Sequence, residues 1–197
     1  MTATLQDRQD IADLMTGWIH RDLGEWDRLR ALFHSDARIE VSWFEGSASE
    51  FVDGSARMGA SDLRSKHLIA APVVTFSPDA TRAVSETNAE IILENVALGL
   101  GCAAHNRLVD RLARHDGVWR ILDRKGVYDN SYFTFPAGVV DIDRQALARH
   151  PREYAALAYL LEASGFPVHR AFPTKGSELE RDIKQSALDW LGDTSRP

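Results

Sequence analysis

The stretch "HRDLGEWD", residues 20–27, stands one residue short of the catalytic loop of protein kinases, H-R-D-L-x-x-x-N, whose aspartate is the catalytic base. Asp22 occupies the place of that base. The chain has Asp27 where the loop needs asparagine, lacks a D-F-G metal motif, and offers only Gly99-Leu100-Gly101 as a glycine-rich segment. At 197 residues it is also too short for two lobes. Kinase chemistry is excluded, yet Asp22 stays unusual. It follows Trp18 by four residues and Met15 by seven, which sets it on an apolar helical stripe. It also falls in the last turn of that helix, where a negative charge opposes the helix dipole. A carboxylate with both handicaps needs a compensating partner or a function that uses its cost. It caps the next helix, pairs with Arg28, or serves a site; spacing alone leaves all three open.

The elements that must position it can be read from hydrophobic period. Ile11, Leu14, Met15, Trp18 and Ile19 give an amphipathic helix over 7–22, which Gly24 can close in a left-handed conformation. A second helix is predicted over 25–34, burying Trp26, Leu29, Leu32 and Phe33. After Asp36 the period changes to two: Ile39, Val41 and Trp43 alternate with polar residues, as in a half-buried strand. Residues 45–60 read as loop, and Ser61 as the cap of a short helix to about Lys66. Strands are predicted over 67–76, 80–98, 102–115 and 118–133, the last pair joined by the hairpin signal Asp116-Gly117. From Pro136 the pattern is helical again, over 151–165 and 178–191, the latter with a Ser177/Glu180 capping box. Helices followed by a run of antiparallel strands make an α+β fold, and a curved sheet wrapped around helices leaves a cavity between them.

Composition narrows the function classes. Hydrophobic residues make up 44% and charged residues 26%, as in a globular protein, and the net charge of −6 speaks against a nucleic-acid partner. Cys102 is the single cysteine, so no intrachain disulfide is possible and a reducing compartment is expected. The N-terminus lacks the basic and apolar regions of a secretory signal, and no apolar run is long enough to span a bilayer. A cytoplasmic location, away from membranes, is the expectation. Metal chemistry finds no H-E-x-x-H and no short His/Cys cluster, a serine hydrolase no G-x-S-x-G elbow, and a dinucleotide no helix after Gly101. Trp18, Trp43 and Phe44 either line an aromatic pocket or are plain core. Arg124 and Tyr128 share strand parity; Arg124 either faces a cavity, where it would stabilise negative charge, or pairs with Asp110 or Asp123. His105 has an uncertain register.

Asp22 followed by "EWDRLR", "ARIEV", "EFVDG", Lys66-His67 and "DGVWRI" resembles, in order and spacing, the scytalone dehydratase and SnoaL-like branch of the nuclear transport factor 2-like superfamily, over about residues 5–135. The resemblance implies a cone of curved antiparallel sheet around N-terminal helices (residues 1–135), with 136–197 as a helical extension packed on the domain or on a neighbouring subunit. It implies that Asp22 pairs with His67, the histidine taking a proton near neutral pH while the carboxylate fixes its tautomer and stabilises the imidazolium. Scytalone dehydratase has a tyrosine where this chain has Arg21, a second tyrosine at Val41, and a serine–asparagine pair at Asn106 and Leu108, so a less polar substrate than scytalone is expected. The reading is a cofactor-independent lyase, with Asp22 and His67 catalytic, no metal, and Trp18, Val41, Trp43, Asn106, Arg124 and Tyr128 around a small hydrophobic, cyclic or aromatic substrate. The leaving group would be water, halide or formaldehyde. An isomerase or polyketide-type cyclase of the same fold is the alternative, as is a non-catalytic small-molecule-binding module, for which a Phe at position 67 would have argued. A homo-oligomer, most simply a trimer, is implied by resemblance to the dehydratases.

Overall fold

The computed structural model describes residues 2–193. Three helices open the chain: α1 (Leu5–Thr16), α2 (Ile19–Asp22) and α3 (Trp26–Arg30). Then come β1 (Phe33–Val41), β2 (Phe44–Ser47), α4 (Ala48–Gly59), β3 (Leu63–Ile69), β4 (Val73–Phe76), β5 (Arg82–Asn95), β6 (Leu100–His115) and β7 (Val118–Thr134). The chain continues into α5 (Arg144–Leu147), α6 (Ala155–Ala163) and α7 (Glu178–Gly192). Among the described residues no helix is long and apolar enough to cross a membrane.

The strands form one curved sheet in the order β2-β1-β7-β6-β5-β3, with β4 also paired to β5. Every pairing is antiparallel except β1 with β7, which is parallel. That one pair departs from the wholly antiparallel sheet expected from the sequence. It arises because β1 reaches the sheet through helices and leaves it through β2 and α4, so no hairpin dictates its direction. Two register shifts in the β6–β7 ladder, at His105/Asn106 and Arg111/Leu112, insert an extra β7 residue each. Such bulges bend a strand and increase its twist.

Several local expectations are corrected. The helix over 7–22 is divided at Gly17-Trp18, where backbone bonds tighten to i→i−3: Trp18 to Met15 and Arg21 to Trp18. A side chain at position 17 would put its Cβ 2.7 Å from Leu32 Cδ2, so only glycine lets Leu32 pack there. Gly24 closes the turn at φ 69°, the left-handed conformation expected of it. The second helix ends at Arg30, and Phe33 already belongs to β1. The supposed loop 45–60 contains β2 and α4, the latter begun by a Ser47/Glu50 capping box. No helix starts at Ser61; residues 63–69 are strand. The strand over 67–76 is two, β3 and β4, interrupted at residues 70–72, where Pro72 has no N–H for the ladder.

Two apolar clusters fill the concave side. The first joins α1, Trp18, Leu29, β1, Phe51 of α4 and the end of the β6–β7 hairpin, including Trp119 and Ile121. The second joins Met58, Leu93, Cys102 and Tyr128 to Tyr154, Leu157, Leu160 and Leu161 around α6. The leucine face of α6 is therefore buried within its own chain rather than left for a neighbour. At the outer face α7 docks through Glu180, which accepts from Arg107, and Arg107 also reaches Asp129 and Glu86.

Asp7 fastens α1 to the sheet. Its carboxylate completes a capping box with Thr4, accepts from Trp119 Nε1 at 3.0 Å and faces Arg114 at 3.0 Å. These hydrogen bonds, the indole's foremost, hold its pKa down at about 2. Asp7→Ala leaves the buried indole N–H without an acceptor and removes half the cap. Urea unfolding should show a loss of about 1–3 kcal/mol, the range for an orphaned buried donor.

Candidate active site

A cavity opens where the two apolar clusters meet. Its empty space amounts to about 580 Å³ with the open mouth counted in. Each wall comes from a different element. Alternation along β3 turns Ser65, His67 and Ile69 inward, and the paired residues of β5 (Leu93, Ile91, Ala89) turn inward with them. β6 adds Asn106 and Leu108, β7 adds Tyr128, and β1 with its following turn adds Val41, Ser42 and Trp43. The helical side is Trp18 and Arg21, Phe51 and Met58 of α4, and Leu157 and Leu161 of α6.

Asp22 ends α2 and points at β3. Its Oδ1 lies 2.6 Å from His67 Nδ1, and its Oδ2 accepts the His67 backbone N–H at 2.7 Å. The two side chains are only 2% and 9% exposed. Neither helix capping nor a pair with Arg28 engages Asp22, since Arg28 pairs with Glu25 instead. A carboxylate can only accept, so Nδ1 carries the proton and Nε2 keeps a lone pair for the cavity. Burial opposes the Asp22 charge, but the His67 ring and backbone bonds and the nearby Arg21 charge bring its pKa below the usual carboxylate value. Burial also governs His67, lowering its pKa against the upward pull of Asp22; the Arg21 and Arg124 charges add to the lowering. The imidazole is thus neutral, and able to accept a proton, at neutral pH.

The remaining sequence candidates divide. Trp18, Val41, Trp43, Asn106 and Tyr128 line the cavity. Trp18 meets the His67 ring edge-on at 6.0 Å and stacks on Phe51 at 5.5 Å. Tyr128 Oη accepts the Ser42 backbone N–H at 2.8 Å, and burial raises its pKa, so the phenol keeps its proton. Arg124 is not in the cavity wall. It lies behind Trp18, 4.5 Å from that ring, in a fully buried bidentate pair with Asp110 (2.7 and 2.9 Å). Of its two sequence-level readings, the pair with Asp110 is the one observed, in the interior. Phe44 packs on Trp43 and Phe51 outside the cavity, and His105 is exposed on the outer face beside Tyr132.

Sequence reasoning missed Phe51 and Met58 because α4 was read as loop, although Ser47-x-x-Glu50 is a capping-box signal. It missed Leu157 and Leu161 because nothing in a helical pattern says which wall it will cover. Arg21 entered only as a departure from a tyrosine. Among the described residues no group of three His, Cys, Asp or Glu side chains is placed to hold a metal ion.

A family model described as a SnoaL-like domain matches residues 3–125. The chain belongs to this family. Two relatives, in Aspergillus terreus and Emericella nidulans, are uncharacterised proteins: the first is 26% identical over 178 residues, spanning 80% of this chain and 66% of the relative. The second is 28% identical over 204 residues, spanning 94% and 86%. This chain thus spans just under two thirds of the first relative's length. Among solved structures, the SnoaL-like chain is similar to the hexachlorocyclohexane dehydrochlorinase LinA, with 19% identity and a TM-score of 0.59 over 71% of this chain and 95% of LinA. A proposed scytalone dehydratase from Novosphingobium aromaticivorans gives 17% identity and 0.57 over 70% and 97%. LinA-type3 from Novosphingobium barchaimii gives 20% and 0.56 over 71% and 96%. These likenesses fix the nuclear transport factor 2-like fold: a curved, unclosed sheet with N-terminal helices.

The opposed influences on His67 can be separated by titrating its ring by NMR. The wild-type pKa should fall below the ordinary 6.5 or so of histidine. Asp22→Asn removes the one partner that raises it and should lower it further, whereas Arg21→Met removes a neighbouring positive charge and should raise it. Shifts of the opposite sign would contradict the assignment of causes.

Proposed function

We propose that this SnoaL-like protein is a cofactor-independent lyase acting on a small hydrophobic, cyclic or aromatic substrate, with His67 as general base. The observation that carries the reading is the 2.6 Å contact between Asp22 Oδ1 and His67 Nδ1 at the wall of an apolar cavity. Nε2 of the neutral ring removes a proton from the substrate, and Asp22 stabilises the imidazolium that forms. Trp18, Val41 and Trp43 hold the ring of the substrate against the base. Tyr128, its oxygen already accepting from Ser42 N–H, directs its own proton toward the departing group. The electrons of the broken C–H bond form the new double bond as water or halide leaves. When the base takes the proton of a hydroxymethyl group instead, the O–H electrons become the C=O of formaldehyde and the C–C bond breaks. Its electron pair passes to a conjugated carbonyl as an enolate that takes the proton back from His67. The likeness to a dehydrochlorinase and to a proposed dehydratase supports elimination within this fold.

Incubation without added cofactor, with product identified by mass, tests the reaction class. The expected product is the substrate less water, hydrogen halide or formaldehyde. A product of unchanged mass would make the protein an isomerase or cyclase, and no turnover of any cyclic substrate would favour a binding module. Activity should survive exhaustive chelation and dialysis, given the absence of metal and nucleotide motifs in the sequence.

His67→Ala should lower kcat by about 10²–10⁴-fold, the usual contribution of a positioned base. Asp22→Asn should slow the same step, and the double variant should be little worse than His67→Ala, because residues acting as a unit are not additive. The rate should rise with pH as His67 loses its proton and then level off, its midpoint below the ordinary histidine value because burial and two arginines disfavour the charged ring. Multiplying independent effects, or a midpoint above that value, would sink the dyad as the base.

We also propose a cytoplasmic homotrimer. Leu68, Ile92 and Tyr132 are exposed on the face of the sheet turned away from the cavity, where a neighbouring subunit can cover them. Sedimentation at micromolar concentration should give three times the 22.0 kDa chain mass; a monomer refutes it.

A further inference from the structure

Among the described residues, Arg21 is the one cationic side chain in the cavity wall. It is only 8% exposed, and its hydrogen bonds go to two neutral atoms: Nη1 donates to Ser65 Oγ at 3.0 Å and Nη2 to Met58 Sδ at 3.3 Å. The Asp22 carboxylate next to it in sequence has both oxygens engaged by His67 and acts on Arg21 only through its charge. A guanidinium has five N–H donors in a planar fork, and thioether sulfur is a weak acceptor. Of the two other buried arginines, Arg124 has a bidentate carboxylate and Arg82 donates to the backbone carbonyls of Trp190 and Asp193; Arg21 has neither. Burial lowers its pKa to about 10, so it remains a cation at neutral pH, in a wall that is otherwise almost wholly apolar. A desolvated guanidinium with no carboxylate bonded to its fork is costly, and part of the cost is recovered when an anion with two oxygens meets it.

A second group in the same cavity also calls for a polar occupant. Asn106 Oδ1 is buried and has no hydrogen-bond partner among the described residues. A hydrocarbon or a polychlorinated ring would leave Arg21 without an acceptor and Asn106 Oδ1 without a donor; a carboxylate supplies the first, and a hydroxyl or N–H on the same ring supplies the second.

We propose that Arg21 is an anion-binding residue and that the cavity takes a small ring bearing a carboxylate. The ring lies between the Trp18, Trp43 and Phe51 side and the aliphatic residues of β5 and α6, with its carboxylate on the guanidinium. This deepens the lyase reading by naming a substrate class and rests on it only in taking this cavity as the substrate site. The carboxylate also fixes which carbon is presented to His67, since Arg21 precedes Asp22 in the chain and is held in register with the dyad through Ser65, two residues before His67 on the same strand.

Binding tests this without any chemistry. Titration calorimetry of the full chain with benzoate and with benzamide, its neutral counterpart of the same shape, should show benzoate binding once per chain and about tenfold or more tighter, the ratio expected for a charge-assisted hydrogen bond. Arg21→Met should abolish that preference, and Arg21→Lys should keep part of it, so loss of fold is told apart from loss of charge. His67→Ala, which removes the proposed base, should retain the full preference; if the preference holds while the wild-type protein turns over no substrate, the lyase reading fails and the anion site stands. Equal binding of the two compounds by the wild type, binding of neither, or an unchanged preference in Arg21→Met overturns the proposal.

Discussion

A carboxylate withdrawn from water at the C-terminal end of a helix has to be compensated, and in this protein one residue does it twice. His67 gives Asp22 both its ring N–H and its backbone N–H. The backbone bond matters as much as the ring bond: it locks the end of α2 to a fixed position along β3, leaving no freedom for the helix to slide along the strand. Trp18 and Arg21 sit on the turn that leads into Asp22, so their places in the wall follow from that anchor. The division of the helix at Gly17 supplies the rest of the adjustment, letting Leu32 close against the backbone while the short α2 takes its own direction.

Around this anchor the charges are arranged in layers. Arg124 and Asp110 neutralise one another in the core behind Trp18, and the indole face separates them from the cavity. Arg21 and Asp22 are adjacent but serve different neighbours, one facing Ser65 and the other His67. Positive charge therefore flanks the imidazole from two directions while a single negative charge touches it. Attraction to Asp22 is outweighed by burial with the two arginines, and a neutral ring results. An imidazole beside an exposed carboxylate would instead tend to hold its proton. The choice of neutral imidazole is a property of the whole wall, not of the dyad alone.

Much of the architecture could be read from local pattern. The change of hydrophobic period after Asp36, the hairpin at Asp116-Gly117 and the caps at Gly24 and Ser177 each have a near-range physical cause, and each is seen, although Glu180 turns its carboxylate to Gly176 N–H and Arg107 instead of closing a box with Ser177. The misreadings were of another kind. The Ser47/Glu50 box of α4 was overlooked amid a Gly- and Ser-rich composition, and Pro72 was not given its weight as a ladder breaker. The parallel pairing of β1 with β7 and the bulges of β7 depend on contacts between distant segments, which no window of sequence contains. At the site, Asp22 was legible because its position broke two rules at once. Arg124 could be read either into the cavity or into a pair with Asp110 or Asp123, because strand parity gives a face but not a depth. Arg21 obeyed every surface rule of a helix end, and only the fold turns it inward.

The family match ends at residue 125, yet Leu157 and Leu161 of α6 complete the cavity wall from beyond it. The dyad and part of the wall are thus written in separate stretches of one chain. Substitutions along α6 can reshape the space above His67 while leaving every bond of Asp22 untouched. The shape of the cavity and the bonding of the Asp22–His67 pair are therefore set by separate parts of the sequence, and one can change without the other.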